Sequence, residues 1–212
     1  GEASALGCIA GISRLFGNYE QASSLYEDAL TLYQQQGDLL LEGKLLADMG
    51  IVYQNMGNYE QALDSYGEAR RRFQERKDRR GEAHVLGNIG TILQKQGDFE
   101  AALDMSTQAL EIYRTFGDLR YQGTMLGVIG NTHLQMKNHD TARCFLDEAV
   151  ELLQAVGDRA QAGLTLGNLG VLHVEKGDWE QAKIYYKMAL KSHQEVGNKR
   201  FESSAMGNLG EA

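Results

Sequence analysis

Leu166 to Ala182 reads LGNLGVLHVEKGDWEQA, and 80 residues earlier Leu86 to Ala102 reads LGNIGTILQKQGDFEAA. A further 40 residues back, Leu46 to Ala62 reads LADMGIVYQNMGNYEQA. A pattern returning at fixed spacing marks an array in which each unit is one supersecondary element and neighbours share a core. The marker Gly-Asn/Asp-aromatic-Glu falls at Gly17-Asn18-Tyr19-Glu20, Gly57-Asn58-Tyr59-Glu60, Gly97-Asp98-Phe99-Glu100 and Gly177-Asp178-Trp179-Glu180, with a drifted copy at Lys137-Asn138-His139-Asp140. A second marker falls at Gly37-Asp38, Gly117-Asp118, Gly157-Asp158 and Gly197-Asn198, and drifts to Lys77-Asp78. Each period of 40 residues therefore holds two segments closed by a turn signal.

Both segments carry helical periodicity. In the second, Ala22, Leu25, Tyr26, Ala29, Leu30 and Tyr33 follow i, i+3, i+4, i+7 spacing. Glycine at each junction suits a left-handed helix end, and the Asn or Asp after it suits the N-cap of the next helix. Asn18/Gln21, Asn58/Gln61 and Asp178/Gln181 have the spacing of a capping box. Two-residue junctions force successive helices antiparallel. The expected unit is a helical hairpin, and the expected fold is all-α.

Small residues form columns where helices must approach. Ala22, Ala62, Ala102, Ala142 and Ala182 form one, and Ala29, Ala69, Ala109, Ala149 and Ala189 another. Ala10, Gly50, Gly90, Gly130, Gly170 and Gly210 form the column facing them on the first helix. Glycine inside a helix costs about 0.5–1 kcal/mol relative to Ala, so this column calls for a packing reason. One hairpin cannot bury its apolar faces alone, so the hairpins are expected to stack as a solenoid.

These residues resemble the tetratricopeptide repeat. Leu46 stands at the usual Trp/Leu position, followed by the Gly50 column, an aromatic at Tyr53, then Ala62, Tyr66 and Ala69. The resemblance covers the whole chain. The 40-residue period, a longer second helix and glycine in place of the usual closing proline depart from the shorter repeat. That variant is similar to the arrays of Pins/LGN-type scaffolds and of bacterial signalling regulators. The resemblance implies a right-handed α-solenoid over 1–212, with repeats at 1–38, 39–78, 79–118, 119–158 and 159–198 and the start of a sixth at 199–212, an excerpt of a longer protein. It also implies that first helices line a concave groove holding a partner segment, extended or helical.

The groove columns contain Gly87-Asn88, Gly167-Asn168 and Gly207-Asn208, with Ala47-Asp48, Gly127-Val128 and Gly7-Cys8 in the same places. One turn further on lie Thr91 and Asn131, and Lys44 is the only Lys or Arg in these columns. An Asn side chain offers both donors and an acceptor, so Asn88, Asn131, Asn168 and Asn208 can clamp the backbone of a bound segment. Gly87, Gly127 and Gly167 would let that backbone come close. In the plainer reading these glycines serve helix packing and the Asn residues fill the gap beside them. A carboxylate clamp, which needs several basic residues, is not matched.

Bulk properties limit the rest. The composition, 42% hydrophobic and 24% charged, is that of a folded chain. A formal charge of −8 argues against nucleic acid as the main partner, and no apolar run reaches the ~20 residues of a membrane span. Cys8 and Cys144 lie far apart in no metal or disulfide spacing, so a reduced, cytoplasmic setting is expected. His133 and His173 occupy the site of Tyr53 in later repeats, and packing substitutes explain them better than a metal pair without a third ligand. The basic run Arg70 to Arg80 closes a second helix, where positive charge complements the helix dipole. No phosphate loop, nucleophile elbow or Cys/His signature is present, so neither catalysis nor a cofactor is expected. The expected role is a protein- or peptide-binding scaffold. A sensor arm of a signalling protein and an array that associates end to end through uncapped ends are the alternatives.

Overall fold

A computed structural model describes the backbone of residues 1–211, and all their side chains except those of Arg200, Ser204 and residues 208–211. The side chain of Asn208 and the surroundings of Gly210, both named above, lie outside what is described, as does residue 212. The elements are helices throughout: α1 (Glu2–Leu15), α2 (Tyr19–Gln36), α3 (Leu39–Met56), α4 (Tyr59–Glu75), α5 (Arg79–Gln96), α6 (Phe99–Thr115), α7 (Leu119–Gln135), α8 (His139–Ala155), α9 (Arg159–Glu175), α10 (Trp179–Glu195) and α11 (Lys199–Glu211). The residues gather into two compact units, Gly1–Ile112 and Tyr113–Ala212, each a solenoid of antiparallel hairpins.

The junctions follow the glycine rule and extend it. Gly17, Gly37, Gly57, Gly97, Gly117, Gly157, Gly177 and Gly197 all have positive φ, between 64° and 84°. Where the marker drifts, Lys77 and Lys137 adopt the same conformation at φ 56° and 63°. A side chain held there costs roughly 1–2 kcal/mol, so the turn geometry outweighs the local preference.

The capping boxes do not form. The backbone N–H groups of Asn18, Asn58 and Asp178 donate to Ser13, Tyr53 and His173 carbonyls at 2.9, 2.9 and 2.8 Å, closing the preceding helix. The donor that a box would offer to Gln is already spent, and the Gln21 side chain instead accepts from the Ser13 hydroxyl at 3.2 Å. Capping survives as the simpler bond from Asp. Asp38, Asp78, Asp98, Asp158 and Asp178 accept from the N–H three residues on at 3.0–3.3 Å. Asn18, Asn58 and Asn138 make no such bond, and neither does Asp118, so a charged acceptor favours the cap without ensuring it.

The alanine columns are fully buried, and the facing glycines admit a large side chain from the second helix. A Cβ at Gly50 would lie 2.5 Å from the Tyr66 ring, at Gly130 2.8 Å from Leu146 Cγ, and at Gly170 2.3 Å from the Tyr186 ring. At Gly90 the partner is Ser106 Oγ at 2.5 Å. At Gly50, Gly130 and Gly170 the cost of mid-helix glycine is thus offset by burying a large side chain.

Part of the basic run has a structural task that the dipole argument did not foresee. Glu42 and Glu82 are buried at the head of α3 and α5. Arg72 pairs with Glu42 at 3.0 Å, while Arg79 and Gln74 reach Glu82, with Arg70 3.7 Å away. A buried carboxylate is tolerated only with such partners.

Candidate functional site

On the first helices of the Gly1–Ile112 unit, Lys44 is exposed, while Asp48, Asn88 and Thr91 are half-buried and Gly87 is buried. Asn88 Nδ2 is buried without a hydrogen-bond acceptor among the described residues. Thr91 is already engaged: its hydroxyl donates to the Gly87 carbonyl one turn back at 3.0 Å. Of the two, only Asn88 has an unused donor.

Asp48 sits in a polar cluster that reading equivalent columns did not reveal. Burial raises its carboxyl above the usual carboxylate range, and the opposing pull of Arg14 and His84 does not cancel that effect. Arg14 lies close enough to the Tyr26 hydroxyl for its charge to favour the ionised phenol, and its Nε is buried without an acceptor. These residues come from different places in their repeats: Arg14 near the end of α1, Asp48 mid-α3 and His84 in the second turn of α5. A search for equal positions in successive repeats passes over a diagonal.

In the Tyr113–Ala212 unit, Gly127, Asn131, Gly167 and Asn168 are half-buried. Gly167 and Asn168 line a cavity of about 150 Å³ whose walls include Gly163, Leu164, Tyr186 and His193. A Cβ at Gly167 would meet nothing within 4 Å, so packing does not account for that glycine. At Gly127 a Cβ would come 3.2 Å from Thr165 Oγ1, so there the packing explanation has substance.

The histidines turn to their own neighbours. His133 stacks on Phe145 with ring centroids 5.6 Å apart, and His193 on Phe201 at 5.3 Å. His173 stacks on Tyr185 and lies 3.3 Å from the Asp178 carboxylate through Nδ1. Among the described residues no three His, Cys, Asp or Glu side chains gather as a metal site, and both cysteines are free and exposed.

Burial holds the His84, His133 and His193 imidazoles below the ordinary histidine range. The unfolded chain takes up these protons near pH ~6.5 and the folded chain only at lower pH. Their contribution to stability is therefore complete above that value and is lost as pH falls through it. Asp48 acts in the opposite sense, since protonation relieves its burial cost. The melting temperature should fall less between about pH 7.5 and about pH 5.5 in His133→Tyr, which restores the aromatic found at Tyr53, than in the parent chain. Calorimetry at the two pH values checks this; equal slopes would dismiss the histidine argument.

The sequence profile of the tetratricopeptide repeat matches residues 1–75, 41–115 and 121–195. Among solved structures, a Rap protein complexed with Competence and Sporulation Factor is similar with TM-score 0.86 and 15% identity, over 99% of this chain and 62% of that one. A signal transduction ATPase (STAND) protein with a tetratricopeptide repeat sensor from Pyrococcus horikoshii gives TM-score 0.82 and 20% identity, over 98% of this chain but only 32% of its own length. BtubC from P. vanneervenii gives TM-score 0.78 and 20% identity, over 91% of this chain and 80% of that one. At these identities the likeness establishes the fold. No curated protein sequence matches the chain. No helix among the described residues is long and apolar enough to cross a membrane.

Proposed function

We propose, on the premise that the chain belongs to the tetratricopeptide repeat family, that it holds a segment of a protein partner along the face of its first helices. Within the Gly1–Ile112 unit Asn88 bonds the backbone of a bound segment, and within the Tyr113–Ala212 unit Asn168 does so. The observation that carries this reading is the buried Asn88 amide, a donor with no acceptor of its own. Leaving such a group unpaired is costly, and a backbone carbonyl of the partner would satisfy it. The open space beside Gly167 supports the same reading, because a helix face serving only packing gains nothing from glycine there. Asn131 contributes from the next turn of its helix, and Lys44 and Asp48 supply the charges of the face. Thr91, bonded to its own helix, shapes the surface rather than donating to the partner.

A random hexapeptide library passed over the immobilised chain tests the proposal. Replacing both Asn88 and Asn168 by Ala should lower retention about thirtyfold, the worth of two ordinary hydrogen bonds. Circular dichroism controls for folding, and unchanged retention by a folded double variant would reject the clamp. A second reading, a sensor arm reporting occupancy to an attached domain, draws support from the Pyrococcus protein, whose repeat region is described as a sensor. The same face would then be its input.

A further inference from the structure

Asp48 and Asn88 occupy equivalent positions of α3 and α5, one 40-residue period apart, on helices that pack against each other. Packed helices lie about 8–10 Å apart, the span of three extended residues at ~3.3 Å each. Their unmet needs are opposite. The Asp48 carboxylate is half-buried and receives no hydrogen bond from the described residues. Asn88 Nδ2 is a buried donor with no acceptor.

The neighbouring Arg14 and His84 do not complete Asp48. Arg14 stands close to Tyr26 as well as to Asp48, and burial holds the His84 imidazole below the ordinary histidine range. Their attraction leaves the Asp48 carboxyl group still raised by burial. A buried charge of this kind is satisfied by a partner that brings both opposite charge and N–H donors.

We infer that Asp48 and Asn88 form one subsite for a cationic group of the bound segment, a Lys or Arg side chain or a free N-terminal ammonium, with a backbone carbonyl within three residues of it. Asp48 accepts the N–H donors of the cation, and Asn88 Nδ2 donates to the carbonyl. An anionic end, which the free Arg14 Nε would suit, is opposed by the adjacent Asp48 and by the net charge of −8. This inference rests on the groove reading and adds the chemistry of what the groove selects.

The test uses the whole chain, immobilised, and two pools of synthetic hexapeptides. One pool is N-acetylated with Lys or Arg permitted; the other has a free N-terminus and contains no Lys or Arg. Retained peptides are identified by mass spectrometry. Enrichment of Lys or Arg at one position of the first pool, by about tenfold as expected for a charge-assisted bond, supports the side-chain source. Preferential retention of the second pool supports the terminal ammonium. In either case Asp48→Asn abolishes the cationic preference and Asp48→Glu keeps it, with circular dichroism confirming both variants folded. The same preference in Asp48→Asn, or a parent chain that retains peptides with no cationic preference, overturns the subsite and leaves the Asn clamp standing. A parent chain that retains no peptide, or retention indifferent to the double Asn substitution, overturns both.

Discussion

Truncating Tyr66 to Ala is expected to cost about 3–5 kcal/mol, as for other buried aromatic residues. Its side chain has no solvent exposure, its ring fills the space above Gly50, and its hydroxyl donates to Gln54 Oε1 at 3.1 Å. Domain stabilities of about 5–15 kcal/mol make that loss a large share of the total. Tyr66→Phe, which keeps the ring, should cost only about 0.5–1.5 kcal/mol. The two residues are coupled, so Gly50→Ala should destabilise the parent chain and stabilise Tyr66→Ala, where the added Cβ has room. Urea unfolding of the four chains in this cycle measures the coupling. Additive effects would show that Gly50 is not there to admit the ring.

Gly170→Ala and Gly167→Ala should move stability in opposite directions although they lie three residues apart on one helix. At 170 the new Cβ would sit 2.3 Å from the Tyr186 ring, which is buried and cannot swing aside. Overpacking of about 1–3 kcal/mol then exceeds the helical gain of about 0.5–1 kcal/mol for losing glycine. At 167 the Cβ meets nothing within 4 Å, so only the gain of about 0.5–1 kcal/mol remains. Retention of the hexapeptide library adds the functional half of the experiment. If the partner's backbone approaches at 167, the more stable variant binds less well. Equal retention would assign that glycine no role in binding.

The residues of the fold were legible because they repeat. The period, the junction glycines and the small-residue columns each recur in several copies, so local ambiguity was averaged away. Lys77 and Lys137 show this most clearly, since their left-handed turns could be inferred only from the glycines at equivalent junctions. What repeats poorly was hidden. Arg72 meets Glu42 from the following helix, and a basic run at a helix end gives no sign that one of its members reaches back to a buried acid. Arg14, Asp48 and His84 assemble from three unequal repeat positions, so comparing columns located Asp48 without its neighbours. The capping boxes failed for a related reason: the same amide was needed by the helix before.

That shared amide has a consequence for how such a chain can change length. At Asn18, Asn58 and Asp178 one residue both finishes a helix, through its N–H, and opens the next, through its carbonyl. No spare residue separates the two tasks. Adding or deleting a single position at a junction would rotate the following helix by about 100° and carry its alanine column out of the core. Length is therefore granular in this fold, and the change that leaves every junction intact is the gain or loss of a whole 40-residue period.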